Sequence, residues 1–212
     1  MRTDFPTEAL ESAWGPARAA GVVGSAPVNE VREHTAGFLS AVCSVFPADT
    51  PLLALDVGSG AGIPGLLLAW ELPASRWTLL DSTLRRCELA EAAVTAVGIS
   101  DRVRVVHGRA DELLADVPRG TMDLVTARLL GKASETLELC APYCRPGGLV
   151  VASIAGRDLP IWQRAAELPG ISGLTFTEHQ GGGFVAFRVG SALRAGLPRR
   201  PKARSRTPLL GS

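Results

Sequence analysis

The chain has 212 residues, 46% of them apolar and 20% charged, with a formal net charge of +1. That length suffices for one α/β domain with a full core, and the composition is ordinary for a globular protein. No run approaches the roughly 18 apolar residues of a membrane span. The opening MRTDFPTEALESAWG carries acids and no apolar signal core, so a cytoplasmic location and no membrane partner are expected. Cys43, Cys87, Cys140 and Cys144 show no C-x-x-C spacing and do not group with the three histidines, so reduced thiols and no metal are expected.

In chain order, Thr7 to Glu11 starts a short helix that Gly15-Pro16 should end. After Pro27, Val31, Phe38, Leu39 and Val42 fall on one helical stripe. Phe46-Pro47-Ala48-Asp49-Thr50-Pro51 breaks the chain before a buried-strand run, Leu52 to Val57. A glycine turn leads into an apolar helix over Gly65 to Trp70, opened by Pro64. Trp77 to Asp81 is the second strand, and a helix over Leu84 to Val97 stops at Gly98. Its early basic pair, Arg85-Arg86, reads as a solvated face. Val103 to His107 is the third strand, followed by a short helix over Asp111 to Leu114. Met122 to Thr126 is the fourth strand, Ala133 to Cys140 a helix, and Arg145-Pro146-Gly147-Gly148 a turn. Leu149 to Ile154 is the fifth strand, Leu159 to Leu168 a helix. Leu174 to His179 and Phe184 to Val189 form a hairpin across Gly181-Gly182-Gly183.

This alternation predicts an α/β, doubly wound, Rossmann-like fold with a mostly parallel seven-stranded sheet and an antiparallel C-terminal hairpin. Residues 1–50 form a helical segment of the same domain, 51–190 the main domain, and 191–212 a tail. No acid follows Glu178, whereas Arg188, Arg194, Arg199, Arg200, Lys202, Arg204 and Arg206 do. A tail rich in Pro, Arg and Ser is expected to be disordered or to order on a partner. It reads equally as a set of phosphate contacts to RNA and as a solubilising extension.

The chemistry concentrates in Asp56-Val57-Gly58-Ser59-Gly60-Ala61-Gly62. Glycines at a strand–helix turn let a ligand approach the backbone, at the carboxyl end of the first strand. Asp81 ends the next strand about 20 residues on, the spacing at which a carboxylate takes ribose hydroxyls. The glycine spacing does not fit the dinucleotide fingerprint G-x-G-x-x-G. It resembles the first motif of class I S-adenosylmethionine-dependent methyltransferases.

Four stretches in order sharpen the resemblance: Leu55 to Gly65 with its Ile63-Pro64-Gly65, Leu79-Leu80-Asp81-Ser82 with Arg85-Arg86, Gly108-Arg109-Ala110-Asp111-Glu112, and Asp123 to Arg128. Together they are similar to the bacterial 16S ribosomal RNA guanine-N7 methyltransferases, the glucose-inhibited division protein B family. That resemblance implies S-adenosyl-L-methionine as cofactor and 16S ribosomal RNA, or the small ribosomal subunit, as partner. It implies that Gly58 and Gly60 lie against the cofactor, Ile63 packs on it, and Asp81 takes its ribose. Ala110 and Asp111 would flank the adenine, and Arg128 would face the reacting centre.

Other readings stand beside these. Asp81 and Asp111 also suit helix caps, Arg128 a solvated loop, and His34 and His107 structural roles. Where the family has an Asp-Ser pair before the first strand, this chain has Gly37-Phe38-Leu39, and Ile154-Ala155-Gly156 lacks the family's lysine. A methyltransferase of a small metabolite on the same cofactor half therefore remains open, as does a non-catalytic cofactor- or RNA-binding module.

Overall fold

The computed structural model describes residues 1–112, 114–179, 182–194 and 197–211. Seven strands form one sheet: β1 (Leu53–Val57), β2 (Arg76–Asp81), β3 (Val103–His107), β4 (Met122–Ala127), β5 (Cys144–Ile154), β6 (Ile171–His179) and β7 (Gly182–Val189). Their order is β3-β2-β1-β4-β5-β7-β6. β1 to β5 pair in parallel, and β7 runs antiparallel to both β5 and β6. The expected doubly wound sheet with its C-terminal hairpin is therefore present. Strand order reverses between β1 and β4, so their carboxyl ends open a crevice there. Gln180 and Gly181 of the hairpin turn lie outside the described residues.

Alternate residues of each strand feed two cores. Ala54, Leu79, Leu124 and Leu149 face one layer of helices, α1 (Thr7–Ala19), α2 (Val28–Cys43), α3 (Gly65–Glu71) and α4 (Leu84–Val97). Leu55, Leu80, Val125 and Val150 face the other, where α5 (Ala133–Cys140) supplies Leu137 and α6 (Leu159–Gln163) supplies Trp162. No described helix is long and apolar enough to cross a membrane.

Three elements depart from the sequence expectation. α1 does not end at Gly15-Pro16 but runs through both to Ala19. Leu10, Trp14 and Ala17 are fully buried on one face, while Gly15 and Pro16 sit on the solvent side. Burial of a leucine and a tryptophan outweighs the roughly 3 kcal/mol that an interior proline costs. The helix expected over Asp111 to Leu114 is absent. Ala110 and Asp111 lie in a turn, Leu114 is irregular, and Leu113 is outside the described residues. The Ala110 carbonyl accepts from the Tyr143 hydroxyl at 2.8 Å, so it is held by a side chain rather than by a helical N–H. The Pro-Gly turn before the fifth strand is absorbed into β5 as an irregularity, with Cys144 opposite Met122 and Leu149 opposite Leu124.

The tail, expected to be disordered or to order on a partner, is packed on the domain. It contains α7 (Ser191–Arg194) and α8 (Pro201–Arg206), and Leu193, Leu197 and Leu210 are buried in the second core. Residues 195, 196 and 212 lie outside the described residues. Burial of those three leucines supplies what composition hides, because the apolar residues are sparse but spaced to reach the sheet layer.

The Pro-Gly after the glycine loop has a packing reason. A Cβ on Gly65 would sit 2.4 Å from Leu79 Cδ2 and 2.7 Å from Asp56 Cβ. Gly65 thus brings α3 directly onto β1 and β2. Gly65→Ala is expected to cost about 1–3 kcal/mol by overpacking, read as a lowered urea midpoint with unchanged slope. A midpoint within error of the parent would show that the contact relaxes freely.

Candidate functional site

The site forms because β1 ends in residues that must turn tightly. Gly58 and Gly60 have φ of 71° and 56°, in the left-handed region that favours glycine. The loop hangs on the neighbouring strand, since the Gly58 and Ser59 N–H groups donate to the Leu80 carbonyl at 2.8 and 3.1 Å. From the other side, Trp14 Nε1 donates to the Ala61 carbonyl at 3.1 Å. The N-terminal helix therefore props the glycine loop.

Asp81 ties loop and next helix together. Its Oδ2 accepts from Gly60 N–H and its Oδ1 from Thr83 N–H, both at 2.9 Å. Arg86 stands 3.9 Å away. The carboxylate thus ties the glycine loop to the residue that opens α4 and also borders the crevice. A cavity of about 240 Å³ there is walled by Gly58, Asp81, Ala110 and Asp111, with Leu130 and Arg86 among its other neighbours. Four residues singled out in the sequence meet at this cavity. Gly60 joins through its bond to Asp81. Ile63 does not line the cavity and is buried in the first core.

Asp111 is held twice. Arg109 Nε reaches its Oδ1 at 3.0 Å, and Arg204 Nη2 its Oδ2 at 2.8 Å. Burial pushes its carboxyl up, and the two guanidinium hydrogen bonds outweigh this, leaving it below its ordinary range. Leu130 and Glu135 at the cavity were not singled out in the sequence, where Arg86 reads as a solvated face and Arg204 as one of the tail cations. Arg204 carried no signal, lying 93 residues from Asp111.

Arg128, just past β4, lies at a second cavity of about 290 Å³ with Ala26, Glu30, Val31 and His34. Its Nε is buried without a hydrogen-bond partner among the described residues. Leu129 and Leu130, next in sequence, line the first cavity, so the two share one loop. Leu129 has φ of 53° and is 83% exposed at the rim, a strained position for a leucine. Burial, then the Arg128 charge, lowers the His34 imidazole below its ordinary value. The His34 ring lies 5.4 Å from that of Phe184, and His107 Nε2 is 3.2 Å from the Ser82 carbonyl.

Behind the glycine loop, Asp56 is fully buried. It accepts from Gly65 N–H at 2.9 Å and Thr126 Oγ1 at 2.8 Å. Burial pushes its carboxyl up to about 7, against the lowering effect of these bonds. The native fold then favours the protonated acid relative to the unfolded chain. That stability is present below the ordinary carboxylate range near 3.8 and is lost as pH rises through about 7. Asn at this position keeps an acceptor for Gly65 and removes the titration. Asp56→Asn is expected to match the parent near pH 3 and exceed it near pH 8, the gap growing by up to about 1.4 kcal/mol per pH unit between about 3.8 and 7. Denaturant unfolding at both pH values checks this, and parallel curves would contradict it.

Comparisons with known proteins bear on the family and the fold. The model of the GidB family, described as rRNA small subunit methyltransferase G, matches residues 19–165. A ribosomal RNA small subunit methyltransferase G of Parasynechococcus marenigrum is 39% identical over 113 residues, 50% of this chain and 46% of that one. One of Frankia casuarinae is 33% identical over 133 residues, 62% of this chain and 50% of that one. The chain spans about half the length of these curated relatives. Among solved structures, an O-methyltransferase from Bacillus cereus in complex with SAH superposes with a TM-score of 0.61 at 15% identity, covering 85% of this chain and 90% of that one. A methyltransferase from Pyrococcus furiosus gives 0.58 at 19% identity, covering 74% and 83%. At these identities the structural likeness establishes the fold. The family match spans the glycine loop, Asp81, the Ala110-Asp111 turn and Arg128 together, and this chain belongs to the GidB family, rRNA small subunit methyltransferase G.

Proposed function

We propose that this chain is an S-adenosylmethionine-dependent methyltransferase whose acceptor is guanine N7 in 16S ribosomal RNA, presented as RNA or small subunit. The observation that carries the reading is the crevice at the strand-order reversal, where Gly58, Asp81, Ala110 and Asp111 converge. The residues present fit the cofactor. Gly58 borders the cavity beside Leu130, whose Cδ1 a Cβ there would meet at 2.5 Å, and a Cβ on Gly60 would meet nothing within 4 Å. A buried carboxylate suited to a ribose stands opposite, and the Arg128 Nε–H awaits an acceptor.

When bound, S-adenosylmethionine supplies an electrophilic methyl on a sulfonium. Gly58 and Gly60 would hold its backbone-facing side, Asp81 its ribose hydroxyls, and the Ala110-Asp111 turn its adenine. Arg128 would orient the acceptor or the cofactor from the second cavity. Guanine N7 carries an exposed lone pair, so no residue of this chain has to remove a proton before attack. Alignment by the cavity walls then supplies most of the acceleration, several kcal/mol.

One observation favours a second reading, a smaller acceptor. Gly37 stands where the family has an acidic residue, and a Cβ there would lie 2.3 Å from the Phe184 ring. An acidic side chain there would have to displace the buried Phe184 ring, which lies beside His34 of the second cavity. Expression in cells that lack the family's enzyme distinguishes the readings. Restoration of one N7-methylguanine in 16S RNA is expected, and unmodified RNA despite a soluble, cofactor-binding protein would favour the small acceptor.

A further inference from the structure

The C-terminal arm, residues 197–211, crosses the rim of the cofactor cavity. Its ends are fixed. Leu197 and Leu210 are buried, Leu210 N–H donates to Ser134 Oγ at 3.0 Å, and Arg119 Nη1 donates to the Leu197 carbonyl at 3.2 Å. Between these anchors the arm is held by charge. Arg199 pairs with Glu138, which is fully buried, and Arg204 with Asp111. A space of about 280 Å³ lies between α8 and α5, bordered by Ser134, Glu138, Pro201 and Ser205. The arm lies beyond residue 165, where the family match ends.

We propose that this arm is a latch on the cofactor cavity, released when RNA phosphates take its outer face. The proposal rests on the methyltransferase reading above and adds a control to the same site. Three observations converge on it. Arg204 lines the cavity beside Gly58 and Asp81. It also uses the remaining acceptor position of Asp111 Oδ2, which already accepts from Arg109 Nη2 at 3.1 Å. An adenine amino group must compete with a guanidinium for that oxygen.

Charge gives the second argument. With the arm down, Arg86, Arg109 and Arg204 balance Asp81, Asp111 and Glu135 around the cavity. Lifting Arg204 leaves one net negative charge, which favours a cofactor whose positive sulfonium and ammonium groups outweigh its carboxylate by one net positive charge. Size gives the third. The cavity of about 240 Å³ falls below the roughly 300–1,000 Å³ of ligand pockets.

The releasing partner follows from the outer face of the arm. Arg200, Lys202 and Arg206 are exposed, and no acid occurs after Glu178 to offset them. A phosphate backbone attracts such a face without reading sequence. It also competes with Glu138 and Asp111 for Arg199 and Arg204.

Calorimetry of S-adenosylmethionine binding to the full chain, with and without single-stranded polyuridylate, tests this. For the parent, polyuridylate is expected to raise cofactor affinity about tenfold, within the usual range of coupling between sites. Arg204→Ala is expected to show that gain without RNA and little more with it. The Arg200→Ala, Lys202→Ala, Arg206→Ala triple variant should keep the parent's affinity without RNA and lose the response to it. Weaker cofactor binding by Arg204→Ala would overturn the latch and make Arg204 a wall of the site. A parent that binds cofactor identically with and without polyuridylate would overturn it as well. Absence of cofactor binding in parent and Arg204→Ala alike would instead overturn the methyltransferase reading, and the latch with it.

Discussion

Asp81→Ala is expected to weaken S-adenosylmethionine binding about 100-fold, or about 2.7 kcal/mol. The side chain has two tasks. Toward the cavity it would accept from the ribose hydroxyls, and hydrogen bonds to charged groups are worth about 1.5–3 kcal/mol each. Toward the protein it holds Gly60 N–H and Thr83 N–H. Alanine leaves both donors without a partner, so the glycine loop loses its tie to α4 as the ribose loses its acceptor. A stability loss of about 1–3 kcal/mol should accompany the binding defect. Calorimetry and thermal melting on one preparation separate the two. A stability loss with unchanged affinity would reduce Asp81 to a structural tie between the glycine loop and Thr83.

Trp14→Ala is expected to give the largest stability loss, about 3–5 kcal/mol. The indole is fully buried between α1 and the core, and its Nε1–H satisfies the Ala61 carbonyl inside the glycine loop. Trp14→Phe should retain most of the packing and lose the hydrogen bond, costing about 1–3 kcal/mol. Because the bond is to the loop, the phenylalanine variant should also bind cofactor more weakly than its stability alone implies. Urea unfolding measures the first effect. A loss below about 1 kcal/mol for Trp14→Ala would mean that α1 contributes little to the core.

Local signals carried most of the fold. α4 runs from Leu84 to Val97 and ends at Gly98 with φ of 77°, where an apolar periodicity and a left-handed glycine name the same boundary. β3 and α5 likewise take the bounds their apolar runs indicate. The failures share a cause, since each depends on contacts far away in sequence. Pro16 reads as a stop, and only the burial of Leu10, Trp14 and Ala17 carries α1 past it. The turn at Ala110 reads as a helix start, and a hydroxyl from Tyr143 holds its carbonyl.

The site divides in the same way. Glycine spacing and strand-end acids are local, so Gly58 and Asp81 were legible and meet at the cavity. Arg86 reads as a solvated face because its helix position is exposed, yet the strand end beside it brings it to the rim. The arm is the largest omission. Its composition resembles that of a disordered chain, and order comes from Leu197 and Leu210 reaching the core and from acids 61 and 93 residues away, Glu138 and Asp111.

The most direct test of the central claim is transfer of a labelled methyl group from S-adenosylmethionine by the purified chain. The acceptors are 16S RNA and small subunits, both from cells lacking the family's enzyme. The account predicts label at a single guanine, at N7, and its loss in Asp81→Ala. A protein that binds the cofactor in calorimetry and leaves both RNA and subunits unlabelled would contradict the assigned acceptor.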